Sequence, residues 1–283
     1  MLDFFLNLSR LTRPMSNAKN IAVVVLAFYL SGGKLNLVLF FLGVLALSLV
    51  FSSTYAYNTV CDAGIDRSNR NKRHYSESVV YFGRKKAILI VILLAFFGLA
   101  IGVSINIYFF SVSALILLTG FFYSSPYVRF KERVYLDVLF GAILTFSFRF
   151  VASWFIFKIS FPPLLPLFAL AFLKSGGYML YKEYDRPFLM RSGVRNTITF
   201  FSTKSILLSS VIFFCFSILM FMIMCFERSL PLRFLWFLIL FIPPILIQYL
   251  IFFKKITISA KYLRVAGLIL LLILAVAVML MAN

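Results

Sequence analysis

Leu35-Asn-Leu-Val-Leu-Phe-Phe-Leu-Gly-Val-Leu-Ala-Leu-Ser-Leu-Val-Phe-Ser-Ser-Thr-Tyr-Ala-Tyr57 carries no charge, and it runs straight into Asn58-Thr-Val-Cys-Asp62-Ala-Gly-Ile-Asp66-Arg-Ser-Asn-Arg-Asn-Lys72-Arg73-His74. The first part is long enough to cross a bilayer core, which takes about 20 apolar residues. In the second part Asn58, Asp62 and Asp66 recur every four residues. On a helix they share one face, about 6 Å apart per step. Three oxygen ligands followed at once by a dense basic run suit a hard divalent cation holding a phosphorylated group. The same residues also read as a polar helix end at the membrane surface, with the basic residues marking its cytoplasmic side.

Working outward, the rest of the chain repeats the first theme. Of the 283 residues 63% are hydrophobic and only 13% charged, and the mean hydropathy is +1.01. A soluble domain has no use for that much apolar surface, whereas repeated apolar spans suit a bilayer. The runs are continuous rather than alternating, which excludes a transmembrane β-barrel. A net charge of +19 would point to nucleic acid in a soluble protein. Here the basic residues sit in short loops between spans, where topology and anionic lipid account for them, and nucleic acid is not an expected partner. Cys61, Cys215 and Cys225 are odd in number and lie in or near spans, so neither a disulfide framework nor a zinc site is expected. A single histidine, His74, argues against a histidine-based metal centre or triad.

Nine spans are expected, at 18–32, 35–57, 85–104, 107–124, 134–157, 161–181, 204–226, 231–253 and 262–282. The fold class is all-α: a polytopic membrane protein with a bundle of nine transmembrane helices around a cytoplasm-facing cavity, forming one domain over 1–283. The first span reads as a retained one, since no small-residue cleavage site follows it. Gly32-Gly33 and Asn106 mark tight turns. Charge fixes the orientation. Twenty-two Lys and Arg residues fall before span one and after spans two, four, six and eight. Only Lys34, Lys158, Arg228 and Arg233 fall on the other side. By the positive-inside rule the N-terminus is cytoplasmic and the C-terminus outside.

Arg149 in span five and Lys174 in span six are the remaining basic residues. Intramembrane charge is costly and points to a functional site. Arg149 is mid-span, in Phe-Ser-Phe-Arg149-Phe, too deep to reach an interface by snorkelling. Glu183 and Asp185 close span six much as Asp62 and Asp66 close span two. Two acidic sites are thus expected to face each other across one cavity on the cytoplasmic side. Ser175-Gly176-Gly177 allows close helix approach, and Pro243-Pro244 a kink.

These residues resemble the UbiA superfamily of intramembrane prenyltransferases. The family's first motif, Asn-Asp-x-x-Asp-x-x-x-Asp, is matched by Asn58, Asp62 and Asp66, with Thr59 in place of the second-position Asp. Arg13-Pro14-Met-Ser-Asn-Ala-Lys19-Asn20, Tyr123-Ser124-Ser125-Pro126, Leu136-Asp137-Val138 and Arg149 are similar too. The second motif departs from the pattern. Asp185, followed eight residues on by Gly193, fits its last Asp, but Tyr181 stands where the first belongs. A branch resembling decaprenyl-phosphate phosphoribosyltransferases also lacks that first Asp.

The resemblance implies Mg²⁺ held by Asn58, Asp62, Asp66, Glu183 and Asp185. Asp62, Asp66, Asp185 and Lys182 would be catalytic, and Arg67, Lys72, Arg73, Arg149, Lys174 and Lys19 would bind substrate. The expected reaction moves a polyprenyl group from a polyprenyl diphosphate to a small-molecule or lipid acceptor. One alternative is phosphoribosyl transfer from a phosphoribosyl diphosphate to polyprenyl phosphate. A rival of another class is a transporter of an anionic or lipidic solute, which intramembrane charges would also serve. Membrane lipid is the expected surroundings in every case.

Overall fold

The computed structural model describes residues 1–34, 36–69, 72–232 and 234–235, and the single positions 242, 246, 250, 269 and 276. Among the described residues the chain is helical throughout, with no strand. Its helices are α1 (Leu2–Thr12), α2 (Pro14–Ser31), α3 (Leu37–Asp66), α4 (Arg73–Phe82), α5 (Arg84–Ile105), α6 (Ile107–Ser124), α7 (Leu136–Phe155), α8 (Leu164–Arg191), α9 (Thr197–Phe200) and α10 (Thr203–Phe226). Six of them, α3, α5, α6, α7, α8 and α10, are long and apolar enough to cross a membrane.

The first expected span corresponds to α2. It starts at Pro14, whose fixed φ suits a first turn, and it carries Asn17, Lys19 and Asn20 before its apolar part, which leaves it outside the set of six. The expected spans 231–253, with Pro243-Pro244, and 262–282 lie largely outside the described residues, so the count of nine is not reached among them.

Helix length positions the rest. α3 has 30 residues and α8 has 28, about 45 and 42 Å at 1.5 Å per residue, against a hydrocarbon thickness of about 30 Å. Both overshoot by several turns. Spans two and six were expected to close at 57 and 181. The polar residues there mark where lipid ends, and the backbone stays helical through Asp66 and Arg191. Each acidic cluster therefore rides on a rigid helical overhang.

The helices pack closely where side chains are small. A Cβ added at Gly98 of α5 would lie 2.8 Å from Val50 Cγ2 and 3.2 Å from the Ala46 carbonyl of α3. At Gly176 the Ser210 backbone carbonyl of α10 would stand 3.0 Å away, and Ser210 Oγ donates to the Gly176 carbonyl at 2.7 Å. The small-residue stretch of span six is thus a contact between helices, as expected. Asn106 makes the α5–α6 turn: its Oδ1 accepts from Phe109 N–H at 2.8 Å and its Nδ2 donates to the Phe155 carbonyl at 2.6 Å. Phe51, Leu47, Val50, Phe109 and Ile116 lie in one core. Leu89, Ile92, Phe96 and Phe97 of α5 are exposed, as suits a face toward lipid.

Candidate active site

The site forms where the overhangs of α3 and α8 meet two loops at one end of the bundle. Asn58 Nδ2 donates to Asp62 Oδ2 at 3.1 Å and to Ser124 Oγ, at the end of α6, at 3.0 Å. The α6–α7 connection folds back over this face. It brings Lys131, in a short 3₁₀ turn, into an ion pair with Asp62 Oδ1, and Arg129 Nη2 to 3.6 Å from the same oxygen. Glu132 holds the Arg129 Nε at 2.6 Å. One helical turn beyond Asp62 along α3, Asp66 is buried.

The α3–α4 connection closes the other side. Lys72 Nζ lies 2.8 Å from Asp185 Oδ2 of α8, joining the two overhangs. Burial works against the Lys72 ammonium, but Tyr181, Asp185 and Asp66 around it outweigh that and raise its pKa. Lys72 thus pairs with Asp185 of α8 and lies close enough to Asp66 of α3 to feel its charge.

Other expected residues lie elsewhere. Glu183, expected beside Asp185 as a ligand, turns the opposite way: Arg186 Nε and Nη2 reach its two oxygens at 2.7 Å each, and Thr203 Oγ1 donates to it at 2.7 Å. The reason is helical spacing, since Arg186 sits one turn on and Thr203 opens the neighbouring α10. Arg73 pairs with Glu77 of its own helix at 3.5 Å, and Arg67 is exposed at the C-cap of α3. The Lys182 ammonium lies 5.5 Å from the Tyr178 ring. Lys19 sits on α2, between Asn17 and Asn20, both of which reach Ser48 of α3.

Arg149 is 1% exposed, so it faces the interior. Its guanidinium lies 3.9 Å from the Phe51 ring and 4.7 Å from Phe146, and Nη2 donates to Tyr55 Oη at 3.3 Å. Lys174 Nζ approaches the same Phe146 ring at 5.8 Å. Aromatic faces attract both cations inside the bundle.

Thr59 accounts for one departure from the first motif. It is buried on α3 about 20° around the helix axis from Asp66, where Arg13 Nη2 donates to its Oγ1 at 2.7 Å and the Arg13 guanidinium stacks on Tyr75 at 3.9 Å. Lys131 and Arg129 are candidate site residues that sequence reading did not single out, whereas Ser124 lies in the quoted stretch Tyr123-Ser124-Ser125-Pro126. Their signal was a pair of basic residues within seven positions of Ser124, in a loop too short to leave the end of α6.

Among the described residues no three His, Cys, Asp or Glu side chains are placed to enclose a metal ion unaided. The donors nevertheless fit Mg²⁺, which takes oxygen ligands, keeps several waters and is bound by one or two carboxylates together with substrate phosphates. Asn58 and Asp62 already touch, and Asp66 follows on the same face.

Membrane-length helices carrying a paired acidic and basic site at one end define a polytopic membrane enzyme of the all-α class. The chain matches the UbiA prenyltransferase family over residues 20–261 and belongs to that family. Solved structures share the fold. A UbiA homologue from Aeropyrum pernix K1 superposes with a TM-score of 0.78 at 18% identity, covering 94% of this chain and 97% of that one. A UbiA homologue from Archaeoglobus fulgidus bound to GPP and Mg²⁺ gives 0.74 at 20%, covering 96% and 99%. A structure of digeranylgeranylglyceryl phosphate synthase gives 0.70 at 18%, covering 98% and 99%. No curated protein matches.

Proposed function

We propose that this prenyltransferase moves a polyprenyl group from a polyprenyl diphosphate to a lipid or small-molecule acceptor, with Mg²⁺ as cofactor. The observation that carries the reading is the meeting of two acidic helix overhangs, with Lys131, Arg129 and Lys72 among them, at the end of an apolar bundle. Binding of GPP and Mg²⁺ by the Archaeoglobus fulgidus homologue supports it.

Asn58, Asp62 and Asp66 would hold the metal, which when bound neutralises charge on the diphosphate. Lys131 and Arg129, now turned to Asp62, donate to the diphosphate as its bond to the prenyl carbon breaks. Donors fixed in advance where charge develops are the largest single source of rate in such steps. Asp185 orients Lys72, and the prenyl chain runs into the apolar bundle, where aromatic faces exclude water and stabilise allylic cation character. The excess of basic residues on one side supports a cytoplasmic N-terminus, an outside C-terminus and an active site facing the cytoplasm.

Tyr181 favours a second reading, phosphoribosyl transfer to polyprenyl phosphate, since it leaves Asp185 without the paired carboxylate of the family motif. Membranes containing the protein, given each labelled donor with Mg²⁺, separate the two: product from a prenyl diphosphate without a phosphoribosyl donor eliminates the second. In the same assay Asp62→Ala lowers turnover by about 10³-fold or more, the loss expected when charge stabilisation at the leaving group goes. Normal activity of that variant eliminates the metal assignment.

A further inference from the structure

We infer that the Lys72 ammonium is a tethered counter-ion standing in the place of a second metal ion, so that this site takes its diphosphate with one divalent cation. The inference rests on the prenyl-diphosphate reading and concerns how this chain meets that substrate's charge.

The second acidic overhang has one carboxylate to offer. Tyr181 occupies the position, one turn before Asp185, where a second would project beside it. Glu183 has both oxygens committed to Arg186 and one of them also to Thr203. Asp185 alone remains, buried, with the Lys72 ammonium at 2.8 Å. Tyr181, Asp185 and Asp66 all act on that ammonium. It therefore sits on the sole available carboxylate of the α8 overhang, with the last carboxylate of α3 close enough to act on it.

Lys72 is built into this place. Its N–H donates to the Asn69 carbonyl at 2.9 Å, and its own carbonyl accepts from Tyr75 N–H at 2.8 Å, which fixes the backbone at the start of α4. A lysine suits the task as a compact point charge on a flexible stem, able to turn from carboxylate to phosphate. A Mg²⁺ placed there would find Asp185 already paired and would face the like charge of Lys72, while it needs near-octahedral oxygen ligation.

The test counts ions directly. The purified full chain in detergent is titrated with Mn²⁺ in the presence of inorganic diphosphate, and bound Mn²⁺ is counted by electron paramagnetic resonance. The wild type is expected to bind one ion per chain, and Tyr181→Asp combined with Lys72→Met two. Lys72→Met alone is expected to keep one ion and to bind diphosphate about tenfold or more weakly, the usual effect of losing a charged contact. Two ions in the wild type overturn the inference and leave prenyl transfer standing. A folded double variant holding one ion, or unchanged diphosphate affinity in Lys72→Met, also overturns it. No bound ion in the wild type removes the metal reading of the first motif as well. If the double variant does not fold, the wild-type count and the Lys72→Met affinity decide.

Discussion

Glu183, read in sequence as a metal ligand, is held in the fold by an ion pair with Arg186 and a hydrogen bond from Thr203. Replace it with Gln. The native carboxylate receives three hydrogen bonds of 2.7 Å, two from the Arg186 guanidinium and one from Thr203. Both partners of the ion pair are largely shielded, at 14% and 10% side-chain exposure. Charged hydrogen bonds contribute about 1.5–3 kcal/mol each, and stripping one partner from a buried pair costs about 3–5 kcal/mol. Glutamine keeps one acceptor, and Arg186 Nη1 retains its bond to the Phe201 carbonyl at 2.9 Å. The expected loss is therefore about 2–3 kcal/mol. In a detergent melt this is a midpoint lowered by roughly 5–10 °C. Below the melt, prenyl transfer and its Mg²⁺ dependence stay within about threefold of wild type, less than the ~1.4 kcal/mol that marks a tenfold change. A variant that melts like wild type but needs much more Mg²⁺ would refute the reasoning and return Glu183 to the ligand set.

Four further outcomes follow from packing. Arg149→Met keeps the bulk of the side chain and removes a buried charge that has aromatic rings and a tyrosine hydroxyl around it. Replacing buried charge with apolar volume is neutral or stabilising by about 1–4 kcal/mol, so the variant melts at or above wild type, and a clearly lower midpoint contradicts this. Thr59→Asp restores the family residue on the Arg13 side of α3 and forms an ion pair there. Its Mn²⁺ affinity remains within about threefold of wild type, and a larger change shows that the position faces the metal after all. Gly98→Val drives a branched side chain into Val50 and the Ala46 carbonyl, costing about 1–3 kcal/mol. Gly64→Ala, with nothing within 4 Å, gains helix propensity and melts no lower.

The all-helical membrane class and the acidic face of α3 were legible because each rests on spacing or hydropathy along one segment. Asn58, Asp62 and Asp66 needed only the 3.6-residue period. What was not legible depends on the third dimension. Lys131 and Arg129 looked like ordinary loop charges, since no local pattern says that the α6–α7 connection folds back over α3. Glu183 looked equivalent to Asp185 because the two are close in sequence and alike in charge, but they point about 160° apart around the helix axis. The Arg186 three residues later was the local clue to its true partner. Arg149 was correctly read as facing inward, but its aromatic surroundings come from α3 and its own helix, which only packing brings together.

The ion pairs also explain how such a site holds together before any substrate arrives. Asp62, Asp66 and Asp185 confined at the end of an apolar bundle repel one another and are costly to desolvate. Lys131 and Lys72 supply that compensation from two different loops, so the same contacts that anchor the α6–α7 and α3–α4 connections neutralise the acidic face. On the proposed function, anchoring and substrate binding would compete for the same ammonium groups. A diphosphate that took Lys131 and Lys72 would draw them from Asp62 and Asp185, and a divalent cation at Asn58, Asp62 and Asp66 would restore the balance on the first overhang. On the second, the tether of Lys72 keeps its charge within reach of both Asp185 and phosphate. Diphosphate and metal should therefore bind with positive coupling at Asp62. Mn²⁺ titrations with and without inorganic diphosphate measure it directly, and a coupling of 1–3 kcal/mol, roughly 5–150-fold in affinity, is the scale expected of linked sites. Independent binding of the two would mean that Lys131 does not leave Asp62 for phosphate.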